Sequence, residues 1–357
     1  MAAFALPRVA FIHRSEVFGS LQVRNVLSAG REASHRVLLA ACLLVLPTAA
    51  VANEDRGTLS IVIENDRVAN TDRHYTNGLL LSYLTAANAA PDWMLGFARG
   101  IPIFVPKGDI RIGYSLGQSM FTPEQTGTRE PVEDDRPYAG WLYGGVALSN
   151  DSSDTLQTIA LDVGLIGPYA FGEDAQNTWH EFIQVDRANG WENQLETEPG
   201  ATLRYEHKLR HGIEFTPGGL GVDLLPHVEA ALGNVFTYGA AGGTVRVGEN
   251  LTSDYGPPRI RPALPGTGFF TSTDGFAWYL FAGLEGRAVL RNVFLDGNSL
   301  SDSQSVDKKP FVGDFQAGAA IVLDRLRLAY SHVFRSKEFE EQGQADRFGS
   351  VSLSVKF

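Results

Sequence analysis

The final seven residues, Val351-Ser352-Leu353-Ser354-Val355-Lys356-Phe357, alternate apolar and polar side chains without a break. A period of two puts Val351, Leu353, Val355 and Phe357 on one face of an extended strand, and Ser352, Ser354 and Lys356 on the other. Such a strand suits a wall with a different environment on each side. Lipid cannot satisfy unpaired backbone N–H and C=O groups, so strands survive in a bilayer when their sheet closes and leaves no edge. The pattern therefore predicts an all-β fold, a transmembrane antiparallel β-barrel of the kind found in bacterial outer membranes.

Other segments carry strand character near 58–65, 75–86, 109–119, 138–149, 154–166 and 200–210. A second set falls near 221–236, 238–249, 275–296, 310–323, 325–336 and 347–357, bounded by Gly, Asp, Asn and Pro clusters. The reading gives about twelve strands, an even number that keeps both chain ends on the periplasmic side. Loops 66–74, 120–137 and 167–199 then face outward, and the short polar turn Ser149–Asp154 faces the periplasm. The Pro- and Gly-rich stretch 250–274 reads as an irregular periplasmic connection with no assigned role.

At the other end, the apolar run Val37–Leu46 follows a basic stretch with Arg24, Arg31 and Arg36 and precedes the small residues Ala50-Val51-Ala52. This is the pattern of a secretory signal peptide over residues 1–52, removed to leave a single barrel domain over 53–357. Leu39-Ala40-Ala41-Cys42 also matches a lipoprotein box, but the apolar run continues past the cysteine. Cleavage after Ala52 removes Cys42, the single cysteine, so the mature chain would hold no disulfide or thiolate metal site. No window reaches the roughly 20 apolar residues of a membrane helix. The formal net charge of −11 argues against a nucleic-acid surface.

Chemistry-bearing residues concentrate in the three outward loops. Glu173–Ile183 has few helix breakers and places Ala175, Trp179, Phe182 and Ile183 on one side, which predicts a short helix. Gln176 and His180 lie four residues apart, hence on one helix face. Asp186 beyond it could accept from one imidazole nitrogen, fix the tautomer and leave His180 as a general base; the plainer alternative is a solvated loop histidine. Glu64-Asn65-Asp66 and Asp72 to Gly78 are rich in oxygen donors, suited to a hard cation such as calcium, although such clusters also form ordinary turns. Arg129 and Arg136, with Asp134 and Asp135, offer planar guanidinium forks for an anionic substrate.

Through END, DRHYTNG, DRPYAGW and especially IGPYAFGEDAQNTWH followed by GW, the chain resembles the lipid A 3′-O-deacylases of Gram-negative outer membranes. The resemblance spans most of the body and is sharpest from Ile166 to His180. It implies a twelve-stranded barrel with a site near the outer leaflet and calcium-dependent hydrolysis of the ester-linked 3′ acyl group of lipid A. By this resemblance Asn65, Thr76, Gln176 and His180 fall on catalytic positions, Asp66 on a metal position, and lipid A in the outer leaflet is the partner; a monomer is the simplest oligomeric state. The chain departs from the family at Asp186, where a glutamate is expected, and at Thr128-Arg129, where a basic pair is expected.

The mechanism expected on this basis has His180 deprotonating water, Asp186 orienting the imidazole, and calcium at Asp66 stabilising the oxyanion. Two rival readings stand beside it. One is a passive porin-like or structural barrel. The other is an outer-membrane phospholipase with a serine nucleophile, for which Ser82 is the available residue although no nucleophile signature surrounds it.

Overall fold

The computed structural model describes residues 57–66, 74–104, 108–152, 154–182, 184–215, 220–256, 269–271 and 276–357. The expected signal segment, Cys42, Asp72, Arg73 and Ile183 lie outside the described residues. Strands β1 (Thr58–Asn65), β2 (His74–Leu84), β3 (Asp109–Thr122), β4 (Ala139–Asp151), β5 (Thr155–Ile166), β6 (Glu198–Leu209) and β7 (His211–Phe215) form the first half. Strands β8 (Leu220–Gly233), β9 (Phe236–Glu249), β10 (Phe276–Asn292), β11 (Phe311–Leu323), β12 (Leu326–Arg335) and β13 (Asp346–Lys356) form the second. Except for β6 and β7, sequence neighbours pair antiparallel; β1 pairs with β13, and β6 pairs with β8, which closes the sheet.

The barrel is twelve-stranded because β6 and β7 are two parts of one wall strand. Thr202 of β6 faces Gly233 and His211 of β7 faces Leu224. An advance from 202 to 211 is nine residues, and the retreat from 233 to 224 is also nine, so the register runs through Arg210 unbroken. The ladder continues across the gap through Arg210 N–H donating to Asp154 O at 2.8 Å.

The wall is inverted relative to a water-soluble protein. On β1, Thr58, Ser60, Val62 and Glu64 are buried while Ile61 and Ile63 are exposed. On β13, Ser350, Ser352, Ser354 and Lys356 face inward, and Val351 and Leu353 outward. The outward row continues through Leu79, Leu116, Val146, Leu161, Val163 and Leu203, an apolar belt that only a bilayer leaves stable in contact with its surroundings.

Inside, charged groups pair with one another. Toward the periplasmic end, Asp254 lies just beyond a 3-10 turn (Leu251–Ser253) and is fully buried. It accepts from Arg327 Nη1 at 3.1 Å, from Tyr279 Oη at 2.8 Å and from the Gly256 N–H at 3.0 Å, and it pairs with Arg246. Arg246 also reaches Asp223 through Nε at 2.9 Å. The stretch read from sequence as a plain connection thus puts a charged cross-brace into the lumen. At the extracellular end, a one-turn helix (Val293–Asp296) inserts Phe294, which stacks on Phe121 with ring centroids 3.9 Å apart.

Candidate functional site

Among the described residues two helices longer than one turn flank the wall. Helix α1 (Asp92–Arg99) belongs to the β2–β3 connection on the periplasmic side, and α2 (Gly172–Phe182) to the outward β5–β6 loop. The sequence placed the second at Glu173–Ile183 and did not identify the first. Helix α2 follows a tight entry: Gly167 has φ +88, a 3-10 turn runs over Pro168–Ala170, and Phe171 has φ +55. Glu173 and Asp174 sit in its first turn and His180 in its last, the arrangement the helix dipole favours.

Helix α2 lies on the outer side of the wall. Gln118 of β3 has the same strand parity as the exposed Tyr114 and Leu116, and its Nε2 donates to Ala170 O at 2.6 Å. Gly140 of β4 shares parity with the exposed Val146, and its O accepts from Gly167 N–H at 3.0 Å. A Cβ on Gly140 would stand 2.9 Å from that of Ala170, so glycine permits the close approach. Met120 and Thr122, also of outward parity, are buried beneath the loop.

Between α2 and the ends of β1 and β2 runs a cleft lined by Asn65, Asp66, Thr76, Gln176, Trp179 and His180, with Asn77 and Met120. Thr76 is the extra residue at a register shift between Tyr75 and Asn77, and its Oγ1 lies 2.7 Å from Thr122 Oγ1. That bulge aims Thr76 outward. Asn65 Nδ2 donates to Thr76 O at 3.1 Å, which sets the orientation of the amide.

His180 is buried, and its Nδ1 is 2.6 Å from the main-chain O of Asp186. A carbonyl oxygen only accepts, so Nδ1 carries the proton and Nε2 is the basic nitrogen of the neutral ring. The expected orienter is therefore corrected: Asp186 acts through its backbone, and its side chain is exposed. The chain turns back because Gln184 adopts φ +58, with Val185 N–H donating to His180 O at 2.9 Å. Asn177 clamps the returning segment, Oδ1 accepting from Ala188 N–H at 3.0 Å.

Gln176 Oε1 accepts from Trp191 Nε1 at 2.6 Å, while its Nε2 is buried with no hydrogen-bond partner among the described residues. An orphan donor on the wall of a cleft marks a place for an acceptor. Trp191 packs on Tyr138 with centroids 5.0 Å apart, tying this loop to the one before β4. Sequence reasoning noted the Gly190-Trp191 pair without giving Trp191 or Asn177 a role; a tryptophan in a polar loop was the available signal.

Other candidates fall elsewhere. Glu64, grouped with Asn65 and Asp66 by sequence, turns inward and accepts from Tyr75 Oη. Arg136 is buried in the barrel mouth over the Phe121 ring, with Nη2 3.4 Å from Glu338, on the lumen side of the wall from His180. Arg129 is exposed where the two outer loops meet, its O accepting from Asn193 Nδ2 at 2.6 Å, and neither arginine lines the cleft. Ser82 faces the lumen on β2, so it shares no site with His180.

The cleft's donors suit a hard cation better than a transition metal. Asp66 is a nearly fully buried carboxylate, and Asn65 and Thr76 add neutral oxygens. Among the described residues no group of three His, Cys, Asp or Glu side chains is arranged to hold a metal ion, so a cation here would rely on one carboxylate, neutral oxygens and water.

Comparisons with known proteins agree with the closed barrel. The model of the family described as outer membrane protein LpxR matches residues 37–357. LpxR from Salmonella typhimurium is similar in structure, with TM-score 0.70 and 23% identity over 84% of this chain and 100% of that one. The β domain of the Bordetella autotransporter BrkA aligns at TM-score 0.40 and 10% identity over 85% of this chain and 100% of that one. Comparison with curated protein sequences finds no match. A family match over nearly the whole chain, on a closed barrel with an inverted wall, assigns this protein to the LpxR family of outer-membrane proteins.

Proposed function

We propose that this chain is an outer-membrane ester hydrolase that removes the 3′-acyloxyacyl group of lipid A. The observation that carries the reading is the cleft's position: a buried histidine with a fixed tautomer stands on the lipid side of the wall, at the level of the outward loops. A substrate embedded in the outer leaflet reaches this site laterally, its acyl chains lying on the belt of Leu79, Leu116 and Leu165 and its sugar at the loops.

In the proposed reaction His180 Nε2 removes a proton from water as the water oxygen bonds to the ester carbonyl carbon. Collapse of the tetrahedral intermediate breaks the bond to the 3′ oxygen, and the imidazolium returns the proton to it. The products are a free fatty acid and a 3′-hydroxyl. The Asp186 carbonyl holds the ring throughout, Gln176 Nε2 offers a donor to the acyl oxygen or the water, and Asn65 and Thr76 order the cleft's opposite wall. Calcium, when bound, would be held by Asp66 with oxygens of Asn65 and Thr76, and would supply positive charge for a developing oxyanion. A monomer suffices, since the cleft is built within one chain.

A passive channel has less support, because Asp254 and Phe270 at one end and Phe294 at the other are packed within the lumen. The test is mass spectrometry of lipid A incubated with purified protein in proteoliposomes, with calcium or with chelator. Loss of the 3′ acyloxyacyl mass that requires His180 is expected. Unchanged lipid A with folded wild-type protein in calcium would overturn the assignment, and undiminished activity in chelator would remove calcium from it.

A further inference from the structure

Helix α1 points to a second membrane contact, distant from the cleft. It begins at Pro91, carries Asp92 in its first turn and Arg99 in its last, and ends at Gly100. Met94, Leu95 and Ala98 lie on one side, packed with Phe104 against Ile110 and Ile112 of β3 and Leu148 of β4, and Ile159 of β5 packs against the same cluster. Ile110 and Ile112 share strand parity with the exposed Tyr114 and Leu116, Leu148 with Val146, and Ile159 with Leu161. These are outward-facing wall residues, yet Ile110, Ile112 and Leu148 are only 4%, 3% and 6% exposed. The segment from Ala90 to Phe104 therefore lies flat against the outside of the barrel at its periplasmic rim. It is fastened by Ile103 O, which accepts from Gln157 Nε2 at 3.3 Å and from Tyr205 Oη at 3.2 Å, both residues outward on β5 and β6.

The opposite side of the helix carries large aromatic groups between Asp92 and Arg99. Trp93 and Phe97, four residues apart, are 71% and 64% exposed, and Ile103 is 55% exposed. Exposed aromatics of this size, beside an apolar side already packed, are stable when they too are covered. The wall covers the packed side, and the exposed side continues the lipid-facing belt of β3–β5 toward the periplasm. We propose that α1 is an in-plane interfacial helix whose Trp93 and Phe97 enter the periplasmic, phospholipid leaflet. Indole and phenyl groups at the level of the headgroups are the usual anchors of membrane proteins, and Arg99, exposed at the end of the helix, is placed for a lipid phosphate. The anchor would fix the depth and tilt of the β2–β6 side of the barrel, the side that carries the cleft at its other end.

The test uses full-length protein refolded into phosphatidylethanolamine and phosphatidylglycerol vesicles, with Cys42→Ser and single cysteines carrying a nitroxide. Labels at Trp93→Cys and Phe97→Cys are compared with Leu116→Cys in the lipid belt and Arg325→Cys in the periplasmic turn. The expected result is Leu116-like collision with oxygen and several-fold lower collision with a water-soluble nickel chelate than Arg325. Nickel access equal to that of Arg325 would overturn the proposal in favour of a solvated helix. Shielding from both reagents would overturn it in favour of a protein covering. Should the cysteine variants not fold, quenching by brominated phospholipid is compared between wild type and Trp93→Phe. The variant is expected to lose part of the quenchable emission, and identical quenching would overturn the proposal.

Discussion

Replacing Asp186 by alanine separates two ways of holding the His180 imidazole. If the carboxylate oriented His180, its loss would resemble loss of the orienting acid from a serine-protease triad, a cost of roughly 10⁴ in kcat. In this structure the acceptor is the Asp186 main-chain oxygen, 2.6 Å from Nδ1, and the side chain is exposed. Alanine keeps the carbonyl. An exposed substitution away from special features alters free energy by about 0.5 kcal/mol, and at about 1.4 kcal/mol per tenfold in rate this is roughly a twofold change. His180→Ala removes the base itself, at an expected cost of about 10² to 10⁴ in rate.

The assay is initial-rate release of the 3′ acyl group, followed by mass spectrometry, on variants checked for folding by heat-modifiable migration. Near-wild-type activity in Asp186→Ala beside near-complete loss in His180→Ala is the expected pair of results. A loss of about a hundredfold or more in a folded Asp186→Ala barrel would show that the carboxylate engages the imidazole during turnover, and would refute the main-chain assignment.

Trp191→Phe leaves the buried Gln176 Oε1 without its 2.6 Å donor, with an expected cost of about 1–3 kcal/mol in stability, readable as a lower melting temperature, and reduced activity. Arg246→Ala strips the buried Asp223 and Asp254 of a shared partner, and about 3–5 kcal/mol of destabilisation is expected in denaturant titration of the barrel. In the outer loops, burial would raise the carboxyls of Asp135 and Glu338, but His74 and two backbone N–H groups at the first, and Arg335 and Arg136 at the second, hold both below the usual carboxylate range. A depressed folded-state value contributes stability above the unfolded value, near pH 4, and loses it as pH falls through the folded one. The wild-type melting temperature is therefore expected to fall more between pH 5 and 3 than that of Asp135→Asn/Glu338→Gln; parallel profiles would dismiss this contribution.

The twelve-stranded wall was legible because period-two alternation is a direct record of which side chains meet lipid. Residues near 58–65 and 109–119 fall within strands of the structure, the reading 347–357 overruns β13 by one residue, and the predicted helix over Glu173–Ile183 differs from Gly172–Phe182 by one residue at each end. The long segment 275–296 is one strand followed by a single turn of helix, since Asn292 Oδ1 caps the turn by accepting from Phe294 N–H at 3.2 Å. Strand parity, however, gives the face and not what covers it. Glu64 and Asn65 are adjacent in sequence and so point to opposite sides, one to Tyr75 in the lumen and one to the cleft. Grouping them as joint oxygen donors ignored the strand they end.

The same limit explains Arg136 and α1. A basic residue in an outward loop can turn toward substrate or into the mouth, and the choice is made by Phe121 and Glu338, more than ten residues away in either direction. Likewise, DWMLGFAR confines its charge to Asp92 and Arg99 and exposes Trp93 and Phe97, which in a soluble protein would count against an isolated surface helix. On a barrel the reasoning changes sign, because the outside of the wall is the apolar side. A loop that folds back onto that wall needs apolar contacts beneath it, and where it meets lipid it needs apolar residues above it as well. Both departures from the plain barrel follow this rule: α2 encloses a polar cleft against the outer wall near the outward loops, and α1 lays Trp93 and Phe97 outward at the periplasmic rim.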